Sequence, residues 1–594
     1  MHEHGTASTV TVAAAQFAVG TDREENLKAC LRAIDEAAGR GARIVVLPEF
    51  CNHLSWYPDR AAARRLACRE GDAFLTALAE RAARHAMYVK TGVTYAHPDG
   101  RTCGTGVLHG PDGRVLALAD KQILMGSEND FLDPAVTPSP VVPTPYGPVG
   151  LYACMEGVIT EPARCLAVRG ARLLLNSLNS FATDEASLHV PVRAAENRVW
   201  VVAANKIGPL VPADTAAAVA AGLGIPRDRL HGAGESRIVA PDGSVVARAP
   251  ATGAAVIVAH IDLALADDKR RPDGTDVFAT RRPRVYAPLA AGGPHTHRTP
   301  GADRALARII HPAGTGREAV TDAAELLREA VADGIDLVVL PELFFLPPPD
   351  DDPVATGTPA RATALAAFAR TTVTRALRGG RTHAVLSLPA PEGDAHLGHV
   401  IGPEGSVHIQ PRLHHSARHR TWTTREPGDT LGVVDLPFGR LAVLVGDDLL
   451  YPETARLAAI AGAEVVAAPY TPALPWEFTL GLPERAAENR INLVAAGRER
   501  PALPTPPGAI FALPPDFGLW TTRTEPFTGR ISHPVVTPQT GRATTAEIRP
   551  ALAAHRLVSR GTDLVDGRPR HLLNALVTPP SNAHPARVEK GSPR

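Results

Sequence analysis

Glu49, Lys121 and Cys154 each stand where an apolar, strand-like run ends, after "RIVVLP", "VLALAD" and "VGLYA" respectively. In open α/β sheets the residues just past the strand ends line the crevice where ligands bind, so these three can converge. Converged, they would perform acyl transfer. A thiolate is the nucleophile, and a carboxylate can take the thiol proton and later return it to a leaving amine. A lysine ammonium and the N–H of Met155, the residue after the nucleophile, can stabilise the oxygen of a tetrahedral intermediate. A lone cysteine closing an apolar run is as a rule a packed core residue. The company of Glu49 and Lys121 is what singles out Cys154; Cys30, Cys51, Cys68, Cys103 and Cys165 have none and are read as structural.

The elements that must hold these residues alternate. "VTVAAAQF" (10–17) reads as a buried strand, "REENLKACLRAIDEAAGRG" (23–41) has helical apolar spacing, and "ARIVVLPEF" is a β-branched strand. "GTGVLHGPDGRVLALADK" predicts a hairpin turning at Pro111-Asp112-Gly113. Helices are expected over about 160–169 and 184–198, around the strand "RLLLNSLN". That order gives an α/β layered unit.

The unit is written twice. "GARIVVLPEF" (41–50) returns as "GIDLVVLPEL" (334–343), and "VRAAENRVWVVAANK" (192–206) returns as "ERAAENRINLVAAGR" (484–498). Asn197 and Asn489 are 292 residues apart. The division expected is a first unit over 8–286, a Pro/Gly/Ala-rich linker over 287–303, a second unit over 304–577 and a disordered tail over 578–594.

The motifs of the first unit resemble the nitrilase, or carbon–nitrogen hydrolase, superfamily, which is defined by a Glu–Lys–Cys triad. "VVLPEF" supplies Glu49, "ADKQIL" supplies Lys121, and "CMEGVITE" supplies Cys154, Glu156 and Glu161. "RAAENRVWVVAANKIG" and "GESRIVAPDGSVVA" look like the family's later signatures, so the resemblance spans nearly all of 8–286. It implies αββα sandwich domains, and a supporting role for Glu128 in orienting Lys121. Gln122-Ile123 and Thr160 depart from the family pattern and leave the catalytic residue types untouched. Glu156 is shared with nitrile-cleaving members, but their intervening Trp is Met155 here.

The resemblance implies hydrolysis of a non-peptide carbon–nitrogen bond in a small amide or N-carbamoyl compound, through a Cys154 thioester and with no cofactor or metal. A nitrilase making acid and ammonia, an acyltransferase with an amine acceptor, and a catalytically silent binding or scaffold protein are the alternatives. Met155, Glu156 and Asn179 are the expected substrate contacts; Asn176 and Asn179 equally suit a turn. Glu196 and Asn197 read as structural, packing the helix beside the site.

In the second unit Glu342 falls on Glu49, Arg412 on Lys121 and Gly446 on Cys154. No Cys follows Cys165, and no Lys lies between Lys269 and Lys590, so this copy is degenerate. A guanidinium does not substitute freely for an ammonium. Because the family commonly packs the layers of two subunits together, the second unit is expected to be a built-in dimer partner that shapes or covers the first unit's pocket; further homo-oligomerisation stays open. The cluster "RLHHSARHR" (412–420) lacks a carboxylate or thiol at matching spacing and is expected to be a solvated basic loop.

Lys plus Arg equals Asp plus Glu at 62 each, so no global field draws the chain to nucleic acid. No apolar run reaches the length of a membrane span, "MHEHGTASTV" lacks a secretory signal's regions, and the six cysteines form no dense framework. A cytoplasmic protein with free thiols, acting on a small molecule without nucleic acid or membrane, is the resulting expectation.

Overall fold

The computed structural model describes residues 8–292, 299–347, 359–419, 422–518 and 523–579. The expected elements form. The helix Arg23–Gly39 starts where Asp22 accepts the Glu24 and Glu25 N–H groups, an N-cap that satisfies donors a helix start leaves open. The predicted hairpin pairs Thr102–His109 with Val115–Asp120 antiparallel. The helix expected over 184–198 is a π-turn, Glu185–His189, running into Val190–Asn197, and the second half repeats this as Glu477–Gly481 and Leu482–Asn489. Single π-turns of this kind recur at functional sites.

Two sheets make each half. In the first, Thr9–Ala18 pairs in parallel with Ile44–Val46, which pairs in parallel with Tyr88–Ala96, and the hairpin completes that edge. The second sheet runs Val245–Arg248, Arg237–Val239, Trp200–Ala204, Leu173–Ser177, Val149–Ala153, Val141–Val142. Alternate side chains point to opposite faces of a strand. Val12, Ala14, Ile44 and Val46 therefore meet Leu151, Leu173 and Val202 of the facing sheet, while Ala13, Ala15 and Val45 meet helical Ile34, Ala37 and Leu78 on the outside. Leu174 and Val201 carry the other outer layer, against Ala163, Leu166 and Ala194. The result is an αββα sandwich. The second half builds the same layers, with Ala307, Ile309 and Leu337 facing Leu441, Val443 and Val465.

The halves meet through equivalent helices with reciprocal contacts. Arg164 pairs with Glu453 at 2.9 Å and Arg456 pairs with Glu161 at 2.8 Å; each residue of one pair is the 292-residue repeat of a residue in the other. Arg193 pairs with Glu196, Glu484 and Glu488, and its repeat Arg485 pairs with Glu488 and Glu196. All of these groups are buried. Contacts that exchange in this way are those of a self-complementary, two-fold interface. Glu196, expected to be structural, belongs to this network.

The 412–420 stretch departs from expectation. Arg412, His414, Ser416 and His419 are buried, not solvated. Carboxylates remote in sequence draw them in: Asp448 accepts from the Leu413 and His414 N–H groups and from His414 Nδ1, and Glu342 pairs with His419. Of the expected linker, Ala287–Leu289 forms a 3-10 turn with Leu289 buried, and 293–298 lie outside the described residues. Of the expected tail, 580–594 lie outside them. No helix among the described residues is long and apolar enough to cross a membrane.

Candidate active site

Cys154 follows the strand Val149–Ala153 directly and precedes the short helix Met155–Val158. Its backbone has φ 46° and ψ −109°, a conformation that side-chain-bearing residues rarely adopt. Such strain costs on the order of 1–3 kcal/mol and persists only where the surroundings over-determine it. Here they do: the Cys154 N–H meets Asn176 Oδ1 and the Ser177 carbonyl, each at 3.1 Å, and its carbonyl accepts the Gly157 N–H.

Glu49 lies beyond the strand Ile44–Val46, and the next residue, Phe50, also has positive φ (53°). A Cβ on Gly92 would lie 2.7 Å from Glu49 Cα, so only glycine allows the neighbouring strand to press against this turn. Lys121 follows Val115–Asp120, and its ammonium sits 2.9 Å from Glu49 Oε1 and 2.8 Å from Glu128 Oε1. Glu128 Oε2 accepts the Met125 N–H, which fixes that carboxylate against the lysine. Glu49 accepts no hydrogen bond among the described residues, and its contact with Lys121 is ionic.

These groups are all buried, so their charges are set by one another. Burial alone would lower the Lys121 ammonium, but Glu128 and Glu49 override it and hold the group well above the ordinary lysine value. Burial pushes the Cys154 thiol well up, Glu185 and Glu49 add to this, and Lys121 opposes them. Together these surroundings favour the neutral thiol.

Nothing in the local sequence marks Glu185 as a site residue. It opens the π-turn, its Oε2 lies 3.9 Å from Cys154 Sγ, and burial raises its carboxyl to about 7 against an opposing bond from Ser180. Acidic residues opening a helix are ordinary N-terminal partners of the macrodipole, which is how "TDEASLH" reads locally. Only the π-turn reveals which way Glu185 faces.

Cys154, Glu128 and Asn179 line a cavity of about 630 Å³. Its wall is mainly apolar, with Trp56, Phe181, Leu210, Val211, Val219 and Leu223. Asn179 is turned by a bond from its Nδ2 to Ser55 Oγ. Glu156 faces elsewhere: its two oxygens accept the Gln122 and Ala153 N–H groups, at 2.8 and 2.7 Å, so it ties the Lys121 turn to the Cys154 turn. Met155 packs in an apolar cluster with Ile123, Val158 and Ile159. Asn176 serves the Cys154 backbone.

The second half reaches this cavity. Ser559 and Arg560 are among its lining residues, Arg560 pairs with Asp130, and Ser559 Oγ accepts the Gly126 N–H. Phe527 and Ile531 join the apolar cluster of Met155, and the Ile531 and Ser532 N–H groups bond Asp184, next to Glu185.

The corresponding turns of the second half keep the backbone, with Gly446 at the Cys154 position and Arg412 at the Lys121 position. Gly446 has φ 58° where Cys154 has 46°, and Leu343 has φ 45° where Phe50 has 53°.

The profile of the carbon-nitrogen hydrolase family matches residues 11–271 and 313–500, one stretch in each half. A nitrilase of Pyrococcus abyssi is 29% identical over 267 residues, covering 44% of this chain and 93% of its own. Omega-amidase NIT2 of Bos taurus is 29% identical over 296 residues, covering 47% and 97%. Among solved structures, the C. elegans NitFhit protein aligns with a TM-score of 0.40 at 23% identity, over 50% of this chain and 70% of that one. With the profile matched in both repeats, over more than half of its length, the chain belongs to the carbon-nitrogen hydrolase family.

Proposed function

We propose that the first unit, residues 8–286, hydrolyses a non-peptide carbon–nitrogen bond in a small amide or N-carbamoyl compound whose acyl portion is apolar. The observation that carries this reading is the strained Cys154 opening on the same cavity as Glu128, with the Lys121 ammonium held between Glu128 and Glu49. The names of the relatives, a nitrilase and an omega-amidase, support carbon–nitrogen chemistry. The mainly apolar wall supports an uncharged acyl chain, since the Arg560 guanidinium on it is already paired with Asp130 and burying a further charge there is costly.

In this mechanism Glu49 takes the Cys154 proton as Sγ bonds to the carbonyl carbon. The carbonyl oxygen gains charge beside the Lys121 ammonium and the Met155 N–H, the first of a short helix and so without an intrahelical acceptor. Glu49 returns the proton to nitrogen, the C–N bond breaks and ammonia or an amine leaves. Water then attacks the thioester with Glu49 again as base, and the acid departs as Cys154 regains its proton. Glu128 positions Lys121.

We assign residues 304–577 the role of an internal dimer partner. The reciprocal Arg–Glu pairs and the Ser559–Arg560 wall support it. Fusion replaces a bimolecular association with one at high effective concentration.

The test is intact-mass detection of an acyl adduct on Cys154 during turnover of a panel of amides, ureas and nitriles. An adduct from amides that is missing in Cys154→Ala is the expected result. Full turnover by Cys154→Ala would end this reading, and adducts from nitriles alone would replace amidase with nitrilase.

A further inference from the structure

We propose that the second half holds a divalent transition-metal ion, of the zinc type, on Glu342, His396 and His419, in the position its ancestral active centre would occupy. The three come from separate elements. Glu342 follows the strand Leu337–Val339, His396 opens the strand His396–Gly402, and His419 closes the turn Ala417–His419. One ligand atom of each lies within 4.8 Å of the others. Glu342 Oε1 is 3.0 Å from His419 Nε2 and 3.7 Å from His396 Nδ1. Donors bound to one zinc ion at about 2.0–2.2 Å stand roughly 3–3.5 Å apart, so small ring movements close the site.

Two further observations point to a ligand. Both ring nitrogens of His396 are buried without a hydrogen-bond partner among the described residues, which is costly for an imidazole. The carboxylate is also oriented for single-oxygen ligation: Thr471 Oγ1 donates to Glu342 Oε2 and Arg418 pairs with that same oxygen at 3.5 Å, leaving Oε1 to the histidines. Arg412 and Arg418 oppose a dication; the buried Asp447, which pairs with Arg271 at 2.8 Å, acts on His396 in the opposite sense. The pattern differs from that of His97, Cys103 and Asp120, which also cluster. There Asp120 is already spent on His97, Arg101 and Thr105.

Gly446 explains why the site takes this form. A Cβ there would lie 2.4 Å from Glu342 Oε1, so loss of the nucleophile's side chain is what lets the carboxylate face the histidines. Two imidazoles and one carboxylate form a donor set suited to zinc or ferrous iron, with positions left open.

The test uses the full-length chain, stripped with chelator and reloaded with Co2+ or Zn2+. One metal per chain by elemental analysis and a Co2+ ligand-field spectrum are expected, both lost in His396→Ala and in His419→Ala and kept in Cys154→Ser. Should those variants not fold by circular dichroism, zinc-edge anomalous diffraction from the unmodified protein decides, with the peak expected between the three side chains. Metal well below one per chain, a peak elsewhere, or retention by folded His396→Ala would overturn the proposal.

Discussion

Glu185 Oε2 lies 3.9 Å from Cys154 Sγ, so the thiol has a second carboxyl beside it besides Glu49. Burial raises Glu185 to about 7, which puts its charge change inside the working pH range. Above that pH its negative charge opposes the thiolate; below it the proton removes the opposition. Glu185→Gln should therefore speed alkylation of Cys154 by iodoacetamide at pH 8, by about 3- to 10-fold if the charge is worth up to one pKa unit. Near pH 6 variant and parent should react alike. Equal rates at both pH values would show that Glu185 does not act on the sulfur.

Glu185 also marks the limit of what local sequence can tell. Glu49, Lys121 and Cys154 were legible because each ends an apolar run, and strand ends in this architecture converge on one edge. The repeat was legible because whole segments recur. What escaped depends on contacts between distant segments. The 412–420 loop looked solvated because the partners that bury it, Asp448 and Glu342, lie 34 and 77 residues from His414 and His419. Ser559 and Arg560 reach the first half's cavity from more than four hundred residues away, and no periodicity records that. Glu156 was legible as an acid near the nucleophile, but its direction, toward backbone amides, was set by the fold.

The reciprocal ion pairs should carry stability, and more of it should hang on Arg456 than on Arg164. Arg164 and its repeat Arg456 are buried, and each meets a buried glutamate of the other half. Removing one partner of such a pair strands the other's charge, typically at a cost of about 3–5 kcal/mol. Arg456→Ala should lower the urea midpoint by an amount corresponding to that range, and Arg164→Ala by less, because Glu453 keeps Arg281 at 3.0 Å. Losses near the ~0–1 kcal/mol of surface pairs would place these contacts in water.

His189 should make stability fall at alkaline pH. Burial alone would lower its imidazolium, but Glu484, 2.8 Å away, lifts it to about 9. Its folded value is thus raised above the unfolded 6.5, so its contribution is fully present below about pH 6.5 and is lost as pH rises through 9. Glu156 and Glu185, raised to about 7, act in the lower window from the ordinary carboxylate range to 7. Subtracting the pH–stability curve of His189→Gln from that of the parent isolates the upper window. The difference should shrink by roughly 2–3 kcal/mol between pH 6.5 and 9.5. A difference that stays flat would mean the imidazole is neutral throughout.

Severing the halves should cost more than stability. Residues 8–286 alone would expose Glu161 and Glu196 without Arg456 and Arg485, and the apolar cluster of Met155, Val158 and Ile159 without Phe527, Ile531 and Val558. An uncovered apolar face of that kind drives association. The cavity would also lose Ser559 and Arg560, and Asp184, next to Glu185, would lose the Ile531 and Ser532 N–H groups. The fragment should be insoluble or, where soluble, should show raised KM, because wall contacts serve binding, and an altered kcat, because the Glu185 turn beside Cys154 is no longer held. Supplying residues 304–577 in trans should restore part of both. A soluble fragment with the full-length chain's kcat and KM would mean the second half neither shapes nor covers the pocket, leaving its reciprocal charges as attachment alone.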